Sequence, residues 1–367
     1  RVLRMFLSDR IAQIVPGAFV GTFIYSLLVL LAIRTPLNDP ISSYVPALSL
    51  TVAIFMAMGC LGLLIFFIHH MAQILQVAVV LDLIHDELVD FIDKSYPPTE
   101  SGIDPTSVDE LAAQLNHTAS QMVYARHPGF IRSIDEQLLL DIPAESSSWI
   151  WLRPQVGDFV PTGAILAEVG GDIANKHPAH KMIQDAFVVD KERSIYQDPL
   201  FGIRQMVDIA LKALSPAIND MTTAEYALAQ LGDVTGRMAV RSFPANERSS
   251  DNGRLRVIFH RPTWADFVDT AFSQIRRQAA DDVHVTTSLL TVLLHLACRV
   301  PSGARAAVVL HQATEVREAL ATQQFSAADR NAMAHYVDEI ERILLPAVAP
   351  QSDLPELAEA TTQGIPR

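Results

Sequence analysis

The sequence predicts an α+β membrane protein with N-terminal transmembrane helices, a small β module and a helical C-terminal region. Two long uncharged runs at the front, a switch to short alternating segments in the middle and a return to helical spacing afterwards carry that expectation. The runs Ile14 to Ile33 and Tyr44 to Ile68 contain no Asp, Glu, Lys, Arg or His. At about 1.5 Å per residue the first is about 30 Å long as a helix, the thickness of the hydrocarbon core, and the second spans with some tilt. A signal peptide would end its apolar core after about 7–15 residues at a small-residue cleavage site. The first run instead continues into Arg34, so residues 1–70 read as a transmembrane domain.

The chain carries a formal net charge of −13. Within residues 1–70, Arg1, Arg4, Arg10 and Arg34 stand against Asp9 and Asp39, a balance of +2, which leaves −15 on the rest. So acidic a domain repels phosphate backbones and anionic lipid surfaces, and no Lys/Arg-rich run or stacking platform offsets this, which argues against nucleic acid as a partner. Three arginines precede the first span, Arg34 alone lies in the loop Arg34 to Ser43, and no basic Lys or Arg follows the second span until Lys94. That bias orients the N-terminus inside, and two crossings return the chain to the cytoplasm. Cys60 and Cys298 offer no disulfide framework, in agreement with a reducing compartment. A start at Arg1 without methionine suggests a piece of a longer protein.

Residues 71–95 continue as a juxtamembrane amphipathic helix, with Asp82, Asp86, Asp90 and Asp93 at helical spacing among Ile74, Val77, Leu81, Ile84, Leu88 and Phe91. Tyr96-Pro97-Pro98 stops it, and Thr99 to Pro105 is a polar loop. Ser107 and Glu110 are spaced as a capping box for a helix from Thr106 to Ala125. Gly129 to Glu168 then holds short apolar runs between Pro and Gly turns, the β module, so that residues 106–186 form one region. Val156 to Leu166 resembles the glycine-turned hairpins of biotinyl and lipoyl carrier domains. Those carriers need a Met-Lys turn at the hairpin tip, and Lys181-Met182 is reversed and in a helical stretch, so a compact barrel-like hairpin held by Gly157 and Gly163 is preferred.

From residue 187 to 346 the pattern is mainly helical and soluble: Pro199 to Leu214, Asp220 to Gly232, Thr263 to Ala280, Asp282 to Val300, Gly303 to Gln323 and Ser326 to Leu345. Thr263 with Asp266 and Ser326 with Asp329 mark helix starts. Arg254 to His260 alternates as a strand, with Leu255, Val257 and Phe259 on one face, and can pair with the β module. Residues 347–367, rich in Pro, Gln, Ala and Thr, are a disordered tail.

The densest polar cluster beside apolar helices runs from Gln197 to Ala224. Arg204, Asp208 and Lys212 are i,i+4 neighbours and form one charged stripe. Pro216 ends that helix, and Asn219-Asp220 precede a new one whose first turn carries Thr222 and Thr223. The exposed N–H groups of such a start are capped by Asn219 or Asp220, or they bind a ligand together with neighbouring polar groups. The candidate ligand-binding set is Arg204, Gln205, Asp208, Ser215, Asn219, Asp220 and Thr223. This segment, with His127-Pro128-Gly129-Phe130-Ile131-Arg132-Ser133-Ile134-Asp135 and the turn Gly157-Asp158-Phe159-Val160, resembles the DUF2254 family of predicted bacterial membrane proteins. The resemblance covers nearly the whole chain. It implies a multi-pass protein of the bacterial plasma membrane with further spans upstream, and no established activity. Ala217 stands where that family usually has glycine and Met221 where it has proline, which predicts a looser turn.

Metal and nucleophile readings are weaker. His69-His70 point to different sides of a helix, and His177 and His180 flank Pro178 in an expected loop, without Glu or Cys at metal spacing. No Gly-x-Ser-x-Gly elbow, phosphate loop or dinucleotide fingerprint occurs, so neither catalysis nor a cofactor is expected. Gly17 and Gly21 permit close helix packing, within the chain or between copies. The expected function is a membrane-tethered cytoplasmic ligand-binding or regulatory module; the alternative is an oligomeric ion channel or transporter. The expected partners are the lipid bilayer, a second copy of the chain and a small molecule.

Overall fold

A computed structural model describes residues 10–32, 47–74, 77–99, 104–115, 120–145, 147–301 and 303–348. The chain divides into two compact units, Arg1–Val80 and Leu81–Arg367. In the first, α1 (Arg10–Ala32) and α2 (Ala47–Ile74) contain the two stretches long and apolar enough to cross a membrane, Ile14–Leu31 and Ala47–Ile68. They run antiparallel: the Thr22 hydroxyl lies 3.0 Å from Cys60 Sγ, and the Tyr25 hydroxyl donates to the Ser49 carbonyl at 3.3 Å. Gly17 and Gly21 take no part in this contact, because a Cβ built on either meets no atom within 4 Å. The side chains of His69, His70 and Gln73, and the loop Arg34 to Ser43, lie outside the described residues.

α3 (Val77–Ser95) is the expected amphipathic helix, and its apolar stripe has a definite partner. Leu81, Ile84, Leu88 and Ile92 are buried in the second unit. The stop at Tyr96-Pro97-Pro98 holds, and the strap that follows pairs with residues 240–242 through Thr99 N–H to Val240 O and Ser242 N–H to Pro97 O.

The expected helix Thr106 to Ala125 is corrected. Among the described residues of that span only α4 (Val108–Ala113) is helical, capped by Ser107, and Gln121–Tyr124 is strand β1. The alternation there buries Val123 and exposes Tyr124. Strand pairing over 40 residues in sequence outweighs the local helical signal. β2 (Gly129–Ile134), α5 (Glu136–Leu140), β3 (Ser148–Leu152), β4 (Phe159–Val160), β5 (Ile165–Gly170), α6 (His177–Ala186) and β6 (Phe187–Asp190) complete the module. The segment holding His177 and His180 is therefore a helix, started by Pro178 in its first turn, and not a loop.

Val156 to Leu166 is not a hairpin either. β4 pairs with β2 in a three-stranded sheet ordered β4-β2-β6, while β5 lies between β1 and β3 in the other sheet. The turn at Gly163 thus passes the chain from one sheet to the next. Later in the chain, β7 (Glu247–Ser249) and β8 (Leu255–Ile258) extend the larger sheet to β1-β5-β3-β8-β7. β8 runs parallel to β3, with Ser148 opposite Leu255, so the strand expected at Arg254 to His260 does join the β module. Leu255, Val257 and Phe259 enter its core beside Ile131, Ile150, Leu152 and Ile183.

The remaining helices are α7 (Pro199–Ala213), α8 (Met221–Met238), α9 (Trp264–Gln278), α10 (Val283–Ala297), α11 (Ala304–Thr322) and α12 (Ala327–Val348). Their starts carry the expected caps: Thr263 and Asp266 form a reciprocal box, and the Ser326 hydroxyl accepts from the Asp329 N–H at 3.1 Å. α8 runs beyond Gly232 to Met238, and α12 continues through Pro346. The tail from residue 349 lies outside the described residues.

Candidate functional site

The structure resolves the seven candidate residues into a stripe and an elbow. On α7, Arg204 Nε donates to Asp208 Oδ1 at 2.8 Å, and both side chains are well exposed. Gln205 lies on the same helix, half-buried. Ser215, Asn219, Asp220 and Thr223 are brought together where α7 turns into α8. There the Ser215 hydroxyl donates to the Lys212 carbonyl at 2.7 Å, and the Asn219 N–H to the Ser215 carbonyl at 2.9 Å. Asp220 caps α8, accepting the Thr223 hydroxyl at 2.6 Å and its N–H at 3.1 Å. Those bonds hold the Asp220 carboxyl below its ordinary pKa. Self-capping therefore accounts for the helix start. Arg204 and Ser215 stand eleven positions apart, about 16 Å along a helix, so the set does not close around a ligand.

Asn219 takes the left-handed conformation, φ 52°, and Asp220 N–H reaches back to the Ala213 carbonyl at 2.9 Å. Asn tolerates that conformation better than most residues.

Two adjoining cavities lie elsewhere in the second unit, and His260 and Arg261 line both. The first, about 540 Å³, is walled by Phe91, Ser95 and Tyr96 at the end of α3, by Ile134 and Glu136 at the β2–α5 junction, and by the loops around Pro244 and Arg261. The β8 strand positions His260 and Arg261 as it leaves the sheet. Glu136 bridges two guanidiniums: Oε2 accepts from Arg248 Nη1 at 2.8 Å and Oε1 from Arg261 Nη2 at 2.6 Å. Arg261 is further fixed by its Nε bond to the Ala245 carbonyl and by stacking on Phe259. Burial pushes the Tyr96 phenol up to about 12, against the opposing pull of Arg261, so it stays protonated at neutral pH.

The second cavity, about 580 Å³, is lined by Asp104, Trp151, Arg153, Asn246 and Trp264 among others. Asn246 Nδ2 donates to the Thr106 carbonyl at 3.0 Å, which fixes the amide orientation and leaves buried Oδ1 without a partner among the described residues. None of the seven sequence-predicted residues lines either cavity. Sequence reasoning missed Glu136, Arg248, Arg261 and Asn246, which share no local motif. Among the described residues no group of three or more His, Cys, Asp or Glu side chains is arranged to hold a metal ion.

Comparison with known proteins gives relatives that are longer than this chain. The uncharacterised proteins Mb1321c of Mycobacterium bovis and Rv1290c of Mycobacterium tuberculosis are each 30% identical over 332 residues, 87% of this chain. The chain spans 61% of the length of these relatives. No solved structure matches it. The model of DUF2254, described as a predicted membrane protein, matches residues 1–295, and the chain belongs to that family.

Proposed function

We propose that the chain is a membrane-tethered module whose soluble unit binds a small organic anion with an apolar body in the cavity beside Arg248 and Arg261. One observation carries the reading: in a chain of net charge −13, this cavity sets two guanidiniums against the single carboxylate of Glu136, beside the apolar walls of Phe91, Ile134 and Phe259. Each guanidinium carries five N–H donors, and Glu136 engages one of each, so donors remain for a ligand carboxylate. Phe91 and Ser95 belong to α3, the helix next in sequence after the second apolar span, and Tyr96 follows it directly, which supports a regulatory use of occupancy. The alternative, a channel, draws no support from the first unit, where Thr22 and Tyr25 direct their hydroxyls to the neighbouring helix.

The test is native mass spectrometry of the full-length protein released gently from membrane, together with thermal unfolding in the presence of benzoate as a probe. A ligand at one hundred times its Kd stabilises by about 2.7 kcal/mol. The expected result is a retained anion or a benzoate-dependent rise in midpoint, lost in Arg248→Met and kept in Asn219→Ala. Wild-type protein that retains no anion and ignores benzoate rejects the reading, as does a benzoate response equal in Arg248→Met.

A further inference from the structure

We infer that the elbow between α7 and α8 is a bilayer-contacting tip of the soluble unit, where the face of Pro216, Ala217 and Ile218 meets uncharged lipid. The inference rests on the membrane-tethered reading above, and on helix packing inside the second unit. α8 runs parallel to α3: Asp82 accepts from Tyr226 and from Gln230 at 2.9 Å, His85 Nε2 meets Asp233 Oδ2 at 2.9 Å, and Arg241 reaches Asp93. α7 runs back along α8, and its N-terminal Gly202 sits so close to Leu88 that an added Cβ would come within 2.6 Å of Leu88 Cδ2. Both helices carry the elbow past the level of Asp82, by about 7 Å for the five helical positions from Tyr226 to Met221. That is the end of the unit at which α3 starts, and only residues 75 and 76 separate α3 in sequence from α2.

The elbow suits an apolar, poorly hydrated surface. Ile218 is 49% exposed beside exposed Pro216 and Ala217, and Leu83 is exposed at the same end. Four of its backbone donors are already used: Ser215 N–H on the Lys212 carbonyl, Ile218 and Asn219 N–H on the Ser215 carbonyl, and Asp220 N–H on the Ala213 carbonyl. Pro216 has none. Entry into the headgroup boundary therefore leaves none of these donors orphaned. The −15 carried by residues beyond 70 opposes docking through charge on anionic lipid, so the contact is apolar and needs no acidic headgroup.

The experiment places a photo-crosslinking amino acid at Ile218, at Tyr196 just before the far end of α7, or at Phe55 in α2, in full-length protein reconstituted into phosphatidylcholine nanodiscs. Tyr196 and Phe55 are both well exposed. The expected result is phosphatidylcholine adducts by intact mass at Phe55 and Ile218 and none at Tyr196. Adducts at Phe55 without any at Ile218 overturn the elbow contact while leaving the tethered reading standing. Equal lipid adducts at Ile218 and Tyr196, or crosslinks from Ile218 to protein only, overturn it also. Absence of adducts at Phe55 overturns the tethered reading and the elbow contact with it.

Discussion

Asp104→Ala removes a carboxylate that is 39% exposed, yet the structure makes it more damaging than replacement of the buried arginine it faces. Arg305 is 2% exposed; its Nε donates to both Asp104 oxygens at 3.0 and 3.1 Å and its Nη2 to Oδ1 at 2.6 Å. Nη1 donates to the carbonyls of Ala239 and Arg241 at 2.9 Å each, and the rings of Phe243 and Trp264 flank the group. A guanidinium cannot deprotonate, so loss of Asp104 takes from a buried cation the carboxylate that accepts from its Nε and Nη2. Breaking a buried pair from one side costs about 3–5 kcal/mol, and solvent screening of Asp104 brings this to about 3 kcal/mol. Arg305→Met removes the charge itself, leaving two carbonyls to lose about 1 kcal/mol each. The double variant then resembles Arg305→Met alone, and the coupling is about 3 kcal/mol. At roughly 2–4 °C per kcal/mol, thermal unfolding of the full-length protein should show a drop of about 6–12 °C for Asp104→Ala and about 4–8 °C for the double variant. A drop under about 1 °C for Asp104→Ala, or a double variant that falls by the sum of the singles, refutes the reasoning.

Asp220→Asn keeps a capping oxygen and removes its charge. The folded pKa of Asp220 lies below the unfolded 3.8, so its stabilisation is complete above that value and is lost as pH falls through the folded one. The thermal midpoint of the wild type should exceed that of the variant at pH 7, with the gap closing below about pH 4, and a gap independent of pH would rule out the charge as its cause. Gly17→Ile combined with Gly21→Ile should leave α1 packed on α2 within a chain, since a Cβ at either position meets nothing within 4 Å, while displacing any second copy that docks there. Any dimer band that crosslinking in native membranes gives for the wild type should then weaken; an undiminished band would place self-association elsewhere.

What was legible in the sequence depended on how local the cause was. The two apolar runs, the stop at Tyr96-Pro97-Pro98 and the caps at Thr263 and Ser326 need only their near neighbours, and each stands as expected. The stripe on α3 was legible as a stripe, but amphipathic spacing does not name what covers it, and only the fold shows Leu88 against Gly202. Strand β1 was misread because its evidence lies in β5, where Gln121 faces Val169. The same rule governs the site. Polar residues crowded in sequence, such as Ser215 to Thr223, satisfy one another through caps and turn bonds, which removes them from the pool of groups awaiting a ligand. The arginine-rich cavity is built by contrast from Glu136, Arg248 and Arg261, whose bonds span 112 and 125 residues. Its lining could not be satisfied locally, and for that reason it left no motif: density of polar residues along this chain marks where hydrogen bonding closes on itself, and the open chemistry lies where distant segments converge.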